Sequence, residues 1–210
     1  MAKKKQSKSS NTGQQFLSDE KFIKQRMRLL EKGPCYITDN IKNHGEGYVV
    51  VSRKHTGGRI SMVCYLLDVW CCGVKDSFYR LRIEDYEFDD FIRQINGKEC
   101  SYIEAHNWVF GAIGFAEDAG IEPDKSFNLT QYFLDEDNED VPLMDFDFGK
   151  DGKYLLVVQS QQEANRYLPL LRKNLDVKDY TYVIGDNEYY DEFEEDEYDD
   201  SDDDSEDQPM

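Results

Sequence analysis

The sequence predicts a single α+β domain, in which an antiparallel meander packs with helices and is followed by a second hairpin and a C-terminal strand-helix-strand unit. Three observations carry this expectation. After Gly33-Pro34 the apolar spacing turns to strand-like runs, Tyr48-Val49-Val50-Val51, Ile60 to Val69 and Phe78 to Ile83, with the tight turn Thr56-Gly57-Gly58 between the first two. From Glu84 to Ala119 the spacing becomes helical, with stops at Asn96-Gly97 and Gly120. Near the end, Tyr154 to Val158 and Tyr180 to Ile184 bracket a helical segment, the length of which suits two parallel strands joined by a right-handed crossover.

Taken in order, Ser18 caps a helix running towards Lys32, with Phe22, Ile23, Met27 and Leu30 on its apolar stripe and Lys21, Lys24, Arg26, Arg28 and Lys32 on the other face. Cys35-Tyr36-Ile37 opens the strands. Phe88, Phe91, Ile92 and Ile95 line a helix from Glu84 to Asn96, and acidic residues fill its first turns, where they favour the helix dipole. Ser101 to Ala119 is apolar over much of its circumference and reads as the central helix, with Gly111 and Gly114 permitting close backbone approach. Pro123 enforces a break, and Asn128 is the expected cap of a short turn through Leu129, Tyr132 and Phe133. Met144-Phe146-Phe148 and Tyr154 to Val158 flank Gly149-Lys150-Asp151-Gly152 as the second hairpin. Gln162 to Leu175 reads as a helix in which Pro169 requires a first-turn position or a kink.

Charge divides the 210 residues into three parts. The total is 25 Lys and Arg against 44 Asp and Glu, a formal −19. Lys3, Lys4, Lys5 and Lys8 give residues 1–14 a charge of +4, residues 15–185 carry −8, and residues 186–210 hold 15 acids with no Lys or Arg. The two ends have too little apolar content to offset ordering entropy and read as a disordered basic arm and a disordered acidic tail around one domain, 15–185. A mildly acidic body does not supply the clustered cations of a duplex-DNA clamp. The first 32 residues are different, because the arm together with Lys21, Lys24 and Arg28 could contact RNA or a ribosomal component. In the tail, Tyr189, Tyr190, Phe193 and Tyr198 offer stacking and cation–π contacts to a basic protein, or to the chain's own basic arm as an autoinhibitory cover. The longest apolar patch, Met62 to Leu67, is far short of the ~20 residues of a membrane span. Five cysteines, an odd number that includes the adjacent Cys71-Cys72, point to reduced thiols in the cytoplasm.

The segment from Tyr65 to Tyr79 concentrates reactive types. Asp68 and Asp76 could hold a divalent metal or act in acid/base chemistry, with Lys75 stabilising developing negative charge and His106 as a base if the fold brings it there. The structural reading of the same residues has Asp68 bonding backbone amides at a bend and Lys75 solvated. Zinc-ligand spacing and phosphate-loop patterns are both missing, and no cofactor or metal is expected.

Several of these segments together resemble a family of uncharacterised bacterial proteins. The resemblance lies in Cys35-Tyr36-Ile37, Val50 to Thr56, Tyr65-Leu66-Leu67-Asp68 with Cys71, Gly73-Val74-Lys75-Asp76-Ser77-Phe78-Tyr79, Ala105-His106-Asn107 with Gly111-Ala112-Ile113, and Leu129-Thr130-Gln131-Tyr132 with Leu134. It spans roughly residues 34–150 and implies no particular activity; at Cys72 the family has Leu. The expectation is therefore a cytoplasmic, non-enzymatic interaction protein associated with RNA or the ribosome. The alternative is a metal- or acid/base-dependent hydrolase using Asp68, Lys75, Asp76 and His106.

Overall fold

A computed structural model describes residues 17–185. The arm lysines Lys3, Lys4, Lys5 and Lys8 and the tail aromatics Tyr189, Tyr190, Phe193 and Tyr198 lie outside the described residues. Ser18 caps helix α1 (Asp19–Arg26), its hydroxyl accepting from the Lys21 amide at 3.4 Å. The helix stops short of Lys32. It tightens into a 3₁₀ turn at Met27–Leu29, and the chain is then drawn into the sheet as β1 (Glu31–Lys32), paired with the far end of β3 (Glu46–Lys54).

Strand β2 (Cys35–Thr38) and the single turn α2 (Ile41–His44) lead into β3, and the meander continues through β4 (Ile60–Asp68) and β5 (Gly73–Ile83). Helix α3 (Asp85–Gln94) opens with a reciprocal capping box between Glu84 and Glu87, and left-handed Asn96 ends it. A further strand, β6 (Gly97–Cys100), then pairs with β2, giving the sheet order β5-β4-β3-β2-β6. Val49, Val51, Val63, Tyr65 and Leu67 pack towards α1 and the central helix α4 (Tyr102–Asp118), whereas Val50, Met62 and Cys64 meet Phe88, Phe91 and Ile92 of α3. Both sheet faces are therefore covered. That is why the strands read as nearly unbroken apolar runs instead of strict alternation.

Helix α5 (Phe127–Thr130) begins after Ser126, and Asn128 lies inside it instead of capping it. The parallel pair β7 (Tyr154–Val158) and β8 (Tyr180–Ile184) is joined by α6 (Gln161–Asn174). The apolar side of α6 forms a second core with Leu156, Val158, Cys71, Cys72 and Ala116. Pro169 lies within α6 beyond its first turn, where it cannot donate to the Asn165 carbonyl; burial of Ala164, Tyr167, Leu168 and Leu171 holds the helix across this defect.

The second hairpin reduces to a turn at Asp151-Gly152 with one bridge between Lys150 and Lys153. Residues 144–148 are not a strand. Phe146 stacks on Trp108 of α4 with centroids 4.1 Å apart, Phe148 packs edge-on to it at 5.7 Å, and the Asn107 side chain accepts from the Met144 amide. Gly111 makes room for the Phe148 ring, which lies 2.8 Å from where a β-carbon would stand, while Gly114 faces open space. Among the described residues no helix is long and apolar enough to cross a membrane.

Candidate functional site

At the end of the meander where β3 begins and β4 finishes, a cavity of about 170 Å³ opens between the main sheet and β7. It is lined by His44, Gly45, Glu46, Asp68, Trp70, Lys75, Val157 and Gln159. A break in the β4–β5 register between Leu66 and Leu67 leaves Lys75 as an extra residue, and such bulges re-aim side chains. Left-handed Gly73 starts β5 directly against α4, where a β-carbon would stand 2.9 Å from both the Ala112 carbonyl oxygen and the Ala116 side chain. Trp70 is fixed on two sides. Its indole donates to the Lys42 carbonyl at 3.0 Å and lies against left-handed Gly45, where a β-carbon would fall 2.2 Å from the ring.

Asp68 is only 6% exposed. Its Oδ1 accepts from the amides of Trp70 and Cys71, each at 2.9 Å, closing the bend that carries the loop into β5. Burial raises its pKa above the usual carboxylate value, outweighing the two amides, the nearby Lys75 charge and the Cys72 thiol donor. Lys75 gives its ammonium to Glu46 at 2.9 Å. Burial pulls the Lys75 pKa down, but the Glu46 hydrogen bond and charge lift it above the ordinary lysine value. Among the described residues Asp68 forms no salt bridge of its own.

The four candidate catalytic residues do not share this cavity. Asp68 and Lys75 line it. Asp76 is exposed opposite Leu66, its carboxylate accepting from the Ser77 amide at 2.7 Å. His106 is buried in α4, six and ten residues before the alanines that touch Gly73, or about 9 and 15 Å along the helix axis from them. Its Nε2 lies 3.2 Å from the Asp135 carbonyl, and burial lowers its pKa. No three His, Cys, Asp or Glu side chains form a metal-binding group among the described residues. The thiols are all free, and burial raises Cys35 to about 11 and Cys64 and Cys100 to about 12. Cys72, hydrogen-bonded to Cys71 and buried, is also raised, so none of these four is a thiolate at neutral pH.

Three of the five basic residues from Lys21 to Lys32 are neutralised by acids among the described residues. Lys24 pairs with Glu20 at 2.6 Å, Arg28 with Glu136 at 2.8 Å while also donating to the Leu134 carbonyl, and Lys32 with Asp135 at 2.6 Å. Lys21 and Arg26 are exposed and enter no ion pair among the described residues.

Arg53 is a functional-looking residue that sequence reasoning passed over. Its guanidinium is fully buried and donates twice to the Phe133 carbonyl, at 2.9 and 2.7 Å, and once to Asp135 at 2.9 Å, with the Leu30 carbonyl at 3.3 Å. The signal was available: Arg53 continues the inward-facing series Val49, Val51. Tyr65, Ser77 and Thr130 serve similar structural ends, for the Tyr65 hydroxyl donates to the Thr130 carbonyl at 2.8 Å and Ser77 meets the Thr130 hydroxyl at 2.7 Å. No protein-family model matches the chain, and no curated protein or solved structure matches it significantly.

Proposed function

We propose that the protein is a non-enzymatic interaction protein that holds a Lys/Arg-rich protein partner, of the kind found bound to RNA in the ribosome. The supporting observation is where charge is left uncompensated. Among the described residues 17–185, ten of 21 basic side chains enter ion pairs with acidic ones, leaving 20 of 29 acidic but 11 basic side chains outside such pairs. Residues 186–210 then add 15 acids interspersed with Tyr189, Tyr190, Phe193 and Tyr198. Such a surface attracts polycations, steers their approach and presents aromatic faces to their side chains. Lys3, Lys4, Lys5 and Lys8, free of neighbouring acids in the sequence, support a second reading in which the N-terminal arm touches RNA.

The test is equilibrium binding of a lysine- and arginine-rich ribosomal protein to the full chain and to a chain lacking residues 186–210, with salt raised from about 50 to 200 mM. Binding that weakens with salt and with the deletion is expected. Affinity indifferent to both would overturn the proposal.

A further inference from the structure

The Asp68 cavity has features that a solvated loop end does not need. Its carboxylate is more than nine-tenths buried, yet Lys75, the nearest lysine along the chain, is committed to Glu46. Counting the Lys75–Glu46 pair as neutral, the cavity retains one negative charge, on a carboxylate that accepts two amide N–H groups and the weak Cys72 thiol donor but enters no ion pair among the described residues. Sequestering such a charge is costly unless something pairs with it. Beside it lies the indole of Trp70, held in place by its bond to Lys42 and by Gly45. The ring already attracts one cation, with the Lys150 ammonium 5.1 Å from its centroid. Gln159 adds a neutral amide to the wall.

A carboxylate outside any ion pair among the described residues, next to an aromatic face, is suited to a flat cation. Guanidinium is the best fit, because it can lie on an indole and direct N–H groups in its own plane at a carboxylate, whereas an ammonium stays strongly hydrated. The volume of about 170 Å³ is also appropriate, since a cavity of about 150 Å³ accommodates a six-membered ring. It admits the tip of one side chain but not a folded ligand.

We propose that this cavity receives the guanidinium of an arginine side chain presented by the basic partner, bonded to Asp68 and stacked on Trp70. The inference rests on the reading of the protein as a binder of basic partners and supplies its point of specificity. Diffuse acidity recruits any polycation, whereas the cavity accepts one arginine at a defined position.

Nα-acetyl-arginine amide, titrated into the full chain, is the direct probe, read through the Trp70 indole N–H resonance with the core Trp108 indole as internal reference. The Trp70 signal should shift saturably while Trp108 stays put. Nα-acetyl-citrulline amide, which is neutral and nearly isosteric, should bind at least tenfold more weakly, and Asp68→Asn should weaken the arginine probe by a similar factor. Agmatine distinguishes a free guanidine from a presented side chain, and tight binding of agmatine with none of the blocked arginine would overturn the peptide assignment. Equal binding of citrulline, or arginine binding unchanged in Asp68→Asn, would overturn the site itself. Should Asp68→Asn prove unfolded, Gln159→Arg offers a second test, because a guanidinium supplied from within the chain should exclude the probe; undiminished binding would refute the proposal. A basic ribosomal protein that still binds when the probe does not would remove the cavity but leave the broader function standing. The converse result would remove the broader function alone.

Discussion

Two buried charges stand at opposite ends of β3, and their environments differ completely. Arg53, near its C-terminal end, spends its donors on the Phe133 and Leu30 carbonyls and Asp135, and so ties the loop after α5 to the sheet. Asp68 pairs in register with Glu46 at the other end, seven residues or about 23 Å away along the strand, and has two amides and the Cys72 thiol but no ion pair among the described residues. The contrast separates a charge that is part of the architecture from one that retains unused bonding capacity. Burial alone does not identify a site; what matters is whether the partners of the buried group are already present.

The largest expected effect comes from the saturated end. Arg53→Met should destabilise the protein by about 3 kcal/mol in urea titration, because it leaves the Phe133 carbonyl without its two guanidinium donors and Asp135 with Lys32 alone. A loss below about 1 kcal/mol would mean that the network relaxes freely and the contrast is overdrawn. Next, Gly45→Ala should cost about 2 kcal/mol and shift the Trp70 indole resonance, since the new methyl meets the ring at a left-handed backbone position.

Acid titration separates Asp68 from Asp135, because the two carboxylates shift in opposite directions. At Asp135 burial raises the pKa, but the Lys32 and Arg53 bonds outweigh it and leave the value lowered. Its stabilising contribution is therefore present above the ordinary carboxylate range and lost as pH falls through the lowered value. Asp68 is raised by burial, so its contribution is present at low pH and lost as pH climbs through the raised value. Asp135→Asn should therefore be less stable than the native chain at neutral pH, with the gap closing in acid. Asp68→Asn should be at least as stable as the native chain at neutral pH and lose that advantage in acid. Parallel urea titrations across pH 3 to 7, roughly the carboxylate range and above, would show whether the two gaps change in opposite senses. The smallest effect is expected at Lys24→Ala, where an exposed pair with Glu20 is removed and the unfolding midpoint should not move measurably.

How much of this was legible in the sequence depended on whether the signal was local. The meander was legible because Thr56-Gly57-Gly58 marks the turn and the flanking runs are long and β-branched. Strand β6 was not, since Gly97-Lys98-Glu99-Cys100 has no apolar alternation and is a strand only through its pairing with β2. The alternating phenylalanines 146 and 148 imitate a strand while packing on a helix, because spacing alone cannot name the partner surface. At the site, Asp68 and Lys75 stood out by proximity in sequence. Their separation from His106 and Asp76 follows from the length of α4 and the β5 bulge, which only the folded chain reveals.

If the proposed complex forms, charge on the partner, not its shape alone, should hold it together. The most direct measurement compares binding of the full chain to one basic ribosomal protein before and after its lysines are acetylated and its arginines are neutralised by conversion to citrulline. A loss of affinity of more than about tenfold, equivalent to at least about 1.4 kcal/mol, is expected. Equal affinity for the native and neutralised partner would contradict it.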